Sequence, residues 1–270
     1  MNASQLRHDV RTGARVFGTL VVSESPLWPR AIATTGLDFV FIDTEHMALT
    51  NRQVADMCQS YRGLGLPPIV RIPSADATLA AKMLDIGAGG VIAPYVESPE
   101  QAKELVGAVR YRPIKGSRLQ KRLAGEPFEP ELESYLEDRN DSNLLVLNIE
   151  SVPAMQRLDD ILAVQGVDAV LIGPHDLSCS LGLPEAYSHP DFLSACGQIF
   201  QTARSHGVGA GIHFMGDVTQ QQHFIELGAN MLIHSADIVL VAKHLKADLR
   251  AIRELVGERP REGEGDVEAI

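Results

Sequence analysis

The runs LLVLNIE (144–150) and DAVLIGPH (168–175) are each continuously apolar until they end in polar, chemically capable residues. Such a run fits a strand buried on both faces of a parallel sheet, with its C-terminal end opening onto a site. Six further runs share the form: ARVFGTLVV (14–22), FVFIDTE (39–45), PPIVRI (67–72), GGVIAPYV (89–96), VGAGIHF (208–214) and NMLIHSA (230–236). Helix-like segments separate them. Ser98-Pro99-Glu100 and Ser151-Val152-Pro153 carry helix start signals, while Gly36, Gly87, Gly207 and Gly228 carry stop signals. Eight strand-and-helix units in one chain predict a (β/α)8 TIM barrel.

The 270 residues suit one barrel of about 250 residues. Residues 1–257 read as a single domain, and the Glu- and Gly-rich stretch 258–270 as a disordered acidic tail. Lys and Arg number 24 against 35 Asp and Glu, a net charge of −11, which argues against a nucleic-acid partner. No apolar stretch approaches the roughly 20 residues of a membrane span, and the first residues are charged. Cys58, Cys179 and Cys196 stand far apart, as reduced thiols do, so the cytoplasm is the expected compartment.

The long interruption 112–143 falls between a helix and the next strand, at the barrel end opposite the expected site. Six basic residues and no acid lie between Arg110 and Arg122, and seven acids against one base between Glu126 and Asp141. Two readings stand: the halves attract each other, or the basic half draws in an anionic substrate.

At the C-terminal strand ends the sequence places Asp43-Thr44-Glu45-His46, Arg71, Asn148-Ile149-Glu150 and Gly173-Pro174-His175-Asp176. Glu150 and Asp176, on adjacent strand ends, can share a hard divalent cation, or else compensate helix N-termini. Arg71 supplies a fixed cation, and His46 is either a proton carrier or an ordinary rim histidine. Asp43 is open to substrate contact or to support of its neighbours. His213 and His234 read as satisfied histidines, and Cys179 as packing. None of the six lysines falls in a proposed strand, which leaves no Schiff-base nucleophile in the barrel mouth.

Taken in order, IDTEH (42–46), VRI (70–72), LDIGAGGVIAPYV (84–96), NIE (148–150) and IGPHDLSCSLG (172–182) resemble the HpcH/HpaI family of metal-dependent, class II pyruvate aldolases, over residues 14 to 250. The resemblance implies a barrel of the phosphoenolpyruvate/pyruvate superfamily. It also implies reversible cleavage of a 4-hydroxy-2-oxo acid to pyruvate and an aldehyde through a metal-stabilised enolate, with Mg, Mn or Co bound. By that likeness Glu150 and Asp176 are the metal ligands, His46 the base, Arg71 the transition-state stabiliser and Asp85 the carboxylate that raises the basicity of His46. Asn148 falls at a substrate-contacting position, and Gly173, Pro174, His175 and Asp176 form the turn that takes the pyruvate carboxylate, where helix-start amides point at an anion. The resemblance implies a homo-oligomer, commonly a hexamer.

The chain departs from the family pattern in three places. Asn148 replaces a Gln, GSRL (116–119) replaces GxRG, and His175 stands where Ala is common. These departures bear on which aldehyde is used. Two other classes are compatible with the barrel: an acyl-CoA-dependent carbon–carbon lyase, for which the 110–122 run would supply a basic surface, and a non-catalytic 2-oxo acid binding barrel.

Overall fold

The computed structural model describes residues 1–259, so most of the 258–270 segment lies outside the described residues. Eight parallel strands, β1 (Val16–Leu20), β2 (Phe39–Asp43), β3 (Pro68–Arg71), β4 (Gly90–Ala93), β5 (Leu144–Asn148), β6 (Ala169–Ile172), β7 (Gly209–Phe214) and β8 (Met231–Ala236), close into a barrel in sequence order. The register runs Leu20 beside Phe41, Asp43 beside Arg71, Asn148 beside Leu171 and His213 beside Ile233. All eight strands fall within the runs read from the sequence. The (β/α)8 expectation holds.

Side-chain alternation sorts the core into two bodies. Inside the barrel lie Leu20, Phe41, Ile69, Ile92, Val146, Leu171 and Ile233, all buried, while Val40, Val70, Val91, Leu147, Val170 and Ile212 face outward into the ring of helices. The interior cluster includes Leu6 and Val10 from the helix Ala3–Thr12, which plugs the N-terminal end of the barrel. Asn2 caps that helix by accepting the Gln5 N–H at 2.8 Å.

The interruption 112–143 folds as two helices, Gly116–Leu123 and Pro130–Asn140, at the N-terminal end of the barrel. Its halves attract each other: Arg118 pairs with Glu129, Arg122 with Glu133, and Lys121 with Glu126 at 3.9 Å. Arg110 is turned inward onto buried Asp168. The basic run is therefore spent largely inside the chain.

The last helix, Asp237–Leu255, buries only Asp237. No helix among the described residues is long and apolar enough to cross a membrane.

Candidate active site

The site is built from strand ends. β2 and β3 finish in register, which puts Asp43 beside Arg71. Arg71 donates from Nε to Asp43 Oδ1 at 2.8 Å and from Nη2 to Oδ2 at 2.7 Å, a two-point clamp that fixes the guanidinium plane. Burial works against the Asp43 charge, yet Arg71 holds its carboxyl below the usual range. Glu45 Oε2 lies 3.1 Å from Arg71 Nε, and burial pushes the Glu45 carboxyl up despite that neighbour. The His46 amide donates to Asp43 Oδ2 at 3.3 Å, which anchors the turn after β2. Its ring is 55% exposed, with Nε2 3.8 Å from Glu45 Oε2.

Across the mouth, Glu150 follows β5 and is almost wholly buried. Its Oε1 accepts the Tyr95 N–H at 2.9 Å and its Oε2 accepts from Asn148 Nδ2 at 3.0 Å. Tyr95 holds φ at 49°, a left-handed conformation that aims its amide at the carboxylate. Gly173, just after β6, has no Cβ for a reason visible in the site. A Cβ there would run into Glu150 Oε2 and come within 3.7 Å of Asp176 Oδ2. Two carboxylates thus converge on one face of a glycine.

Burial, with the Asp176 charge adding to it, pushes Glu150 up to about 7, although the Tyr95 amide pulls the other way. An all-oxygen pair in which the Glu150 anion is disfavoured by its own surroundings suits a hard divalent cation. Among the described residues no group of three or more His, Cys, Asp or Glu closes into a cage. A pair of protein ligands fits an open site in which other positions go to water and substrate oxygens. Among the described residues Asn148 Oδ1, sealed beside this pair, has no hydrogen-bond partner.

Gly173 and Pro174 open the helix Pro174–Ser180. The amides of His175 and Asp176 lie in its first turn, where no intrahelical acceptor exists. The His175 ring is exposed, 3.9 Å from Cys179 Sγ and 3.7 Å from Glu185.

Asp85 lies apart from the rest of the candidate site within one chain. It closes the helix Ala77–Asp85, and a helix in this barrel ends at the N-terminal rim, just before β4 begins at Gly90. There its side chain is largely exposed and 3.5 Å from Arg112. His46 follows the other end of β2, so within one chain the barrel wall separates Asp85 from His46.

The structure adds Glu45 and Tyr95, and it makes Asp43 the clamp of Arg71. Glu45 sits inside the DTEH segment already singled out, and its acidic neighbours were the available signal. Nothing in GGVIAPYV announces that a backbone amide of Tyr95 would meet Glu150. His234 points out of the barrel, its Nδ1 3.1 Å from Gln221 Nε2. His213 points in.

Residues 17–243 match the family model described as HpcH/HpaI aldolase/citrate lyase. A 2-keto-3-deoxy-L-rhamnonate aldolase of Klebsiella pneumoniae is 33% identical over 86% of this chain and 87% of its own length. A hydroxypyruvate/pyruvate aldolase of Roseovarius nubinhibens is 32% identical over 88% of this chain and 92% of its own. The crystal structure of an HpcH/HpaI aldolase from Desulfitobacterium hafniense superposes with a TM-score of 0.81 at 32% identity, covering 94% of this chain and 99% of that one.

Proposed function

This chain belongs to the HpcH/HpaI aldolase/citrate lyase family, and from that membership and the rim geometry we propose that it cleaves a 4-hydroxy-2-oxo acid reversibly to pyruvate and an aldehyde. The observation that carries the reading is the convergence of Glu150 and Asp176 on Gly173, across the mouth from an arginine clamped by Asp43 and the ring of His46. A divalent cation, which we take to be Mg, Mn or Co, would be held by Glu150 and Asp176 and would supply Lewis-acid polarisation of the 2-oxo group.

The residues of the chain do the rest. The first-turn amides of His175 and Asp176, with Gly173 and Pro174 shaping the turn, receive the substrate carboxylate. Asn148 donates from Nδ2 to Glu150 and holds that carboxylate in place beside the substrate. His46 takes the proton from the C4 hydroxyl. The bond between carbons 3 and 4 breaks, and its electron pair stays on the three-carbon fragment as an enolate whose oxygen faces Arg71. Asp43 keeps that guanidinium in plane. Glu45 adds a second carboxylate, so Arg71 carries its charge in a compensated setting.

Among the described residues no strand contains a lysine, so carbonyl activation by a Schiff base has no donor in the barrel. The acyl-CoA reading is not favoured, because Arg110, Arg118, Lys121 and Arg122 are engaged with acids of the same chain.

We further propose a homo-oligomer, with a hexamer the form implied by the family likeness. Ile238, Val241, Leu245, Leu249 and Ile252 recur every three or four residues along the last helix and are exposed, an apolar stripe that a neighbouring subunit would cover. Light scattering reads the mass directly; a monomer at micromolar concentration would refute it. The activity is tested by pyruvate release from a 4-hydroxy-2-oxo acid, with and without chelator.

A further inference from the structure

The aldehyde half of the substrate has to leave the mouth through the sector that the pyruvate end does not use. Arg71 stands at β3, Glu150 at β5, Gly173 and Asp176 after β6, and His46 after β2. In a barrel closed in sequence order, β7, β8 and β1 border the remaining opening. The interior of β7 is bare below its end: a Cβ on Gly211 would run into the Met231 carbonyl, and one on Gly209 into Val10. His213 is thus the side chain that β7 presents at the mouth, one position above these glycines in the inward alternation.

Its ring is fixed from two sides. It meets Phe41 edge to face with centroids 5.3 Å apart, and Arg71 lies over the same Phe41 ring at 5.5 Å. Nε2 lies 3.1 Å from the Ser235 carbonyl, which can only accept, so Nε2 carries the proton and Nδ1 is left as an acceptor. Ser235 holds φ at 55°, a strained conformation that presents its carbonyl to the ring. Burial first, and the nearby Arg71 charge second, push the His213 imidazole down to about 4 against the pull of that carbonyl, so the ring is neutral at physiological pH. A histidine present only for packing would have both nitrogens bonded or sealed. Nδ1 is neither: among the described residues it has no hydrogen-bond partner, and it is not one of the sealed polar atoms.

We infer that His213 Nδ1 accepts a hydrogen bond from a hydroxyl on the aldehyde-derived half of the substrate, so that hydroxylated aldehydes are preferred over their deoxy counterparts. The inference rests on the aldolase reading and deepens it by assigning a substrate class. It places a selectivity residue on β7, away from the proton-transfer and charge-stabilising groups.

The test is aldol addition of pyruvate to glycolaldehyde and to acetaldehyde, which have the same carbon count and differ by one hydroxyl. The readout is the ratio of the two kcat/KM values. His213→Leu removes the acceptor, and the glycolaldehyde-to-acetaldehyde ratio falls by roughly tenfold, the worth of one hydrogen bond of about 1.4 kcal/mol. His213→Gln can still reach the Ser235 carbonyl but presents no acceptor where Nδ1 stands; it shows the same fall and serves if the Leu variant does not fold. His213→Asn returns an amide oxygen near that position and recovers part of the ratio. An unchanged ratio in the Leu or Gln variant, or an equal loss for both aldehydes in a folded variant, overturns the inference. If the parent enzyme condenses neither aldehyde and releases no pyruvate from a 4-hydroxy-2-oxo acid, the aldolase reading falls first and the inference falls with it.

Discussion

The two ends of this barrel treat a buried carboxylate in opposite ways. At the N-terminal end Asp168 is wholly buried and receives Arg7 at 2.8 Å, Arg11 at 3.2 Å, Arg110, and the Leu145 amide at 2.8 Å. At the C-terminal end Glu150 is nearly as buried, yet its hydrogen bonds come from two neutral N–H groups and its nearest charged neighbour at Gly173 is another carboxylate. One end closes its charges within the chain and holds the fold together. The other leaves negative charge for something from outside to neutralise, and that imbalance marks the working end more clearly than the identity of any one residue.

The largest test of the contrast is removal of whatever neutralises the upper pair. Excess chelator should abolish pyruvate release, and added Mn, Co or Mg should restore it, while the melting transition moves by an amount set only by ligand binding. Borohydride reduction in the presence of pyruvate should leave the protein mass unchanged. Full activity in chelator, or a trapped adduct, would sink the account of the upper rim.

Next come the two groups flanking the pair. Positioned proton transfer is worth about 10²–10⁴-fold and one charge-stabilising donor about 10²–10³-fold. His46→Ala should lose aldol cleavage yet keep much of its oxaloacetate decarboxylation, because that reaction forms the same enolate without removing a hydroxyl proton. Arg71→Ala should lose both. Equal loss of both activities in His46→Ala, with pyruvate still bound, would make His46 an orienting group.

How much of this is legible in the sequence follows from burial. Strands buried on both faces read as unbroken apolar runs, so β5 and β6 announce themselves, and with them Glu150 and Asp176 at the ends. The plug formed by Leu6 and Val10 does not, because a short helix with two apolar residues four apart looks like any charged leader. The place of Asp85 is hidden for a different reason: likeness of a linear motif does not say which end of the barrel a helix terminus occupies. His213 reads as a satisfied histidine: alternation puts Gly209 and Gly211 on its face of β7, but the sequence does not show that this face is the inner one. Pairing across strands, as in the Tyr95 amide on Glu150, belongs to register and is invisible in one strand alone.

Smaller in effect, at about 3–5 kcal/mol, is the lower end. Asp168→Asn leaves Arg7, Arg11 and Arg110 without their shared anion, and breaking a buried ion pair costs that much in unfolding free energy. Activity per folded molecule should stay near that of the parent. Arg118→Ala, which removes an exposed pair with Glu129, should cost under about 1 kcal/mol in the same denaturant titration. If the two variants were equally stable, Asp168 would not be the keystone of the lower rim.

The smallest effect is read on the metal-free protein as a function of pH. The Glu150 carboxyl is pushed up to about 7 in the fold, above the ordinary value of 4.5 that it regains on unfolding. The native state then binds this proton more tightly than the unfolded state, so the Glu150 contribution to stability falls as pH rises from about 4.5 to about 7, while His213, held down to about 4, contributes the opposite slope between about 4 and 6.5; the Glu150 part is read as the difference between the parent and Glu150→Gln. The loss is on the order of 3 kcal/mol, at about 1.4 kcal/mol for each pH unit across that window. Glu150→Gln cannot ionise, so its stability relative to the parent should be lowest near pH 4 and should rise across that window. It should also fail to bind the cation, because a carboxamide keeps the shape but not the charge, and Asp176→Asn should share that failure. A stability difference between Glu150→Gln and the parent that does not change between pH 4.5 and 7 would mean that the Glu150 carboxylate is already neutralised from within, and the contrast between the two ends would disappear.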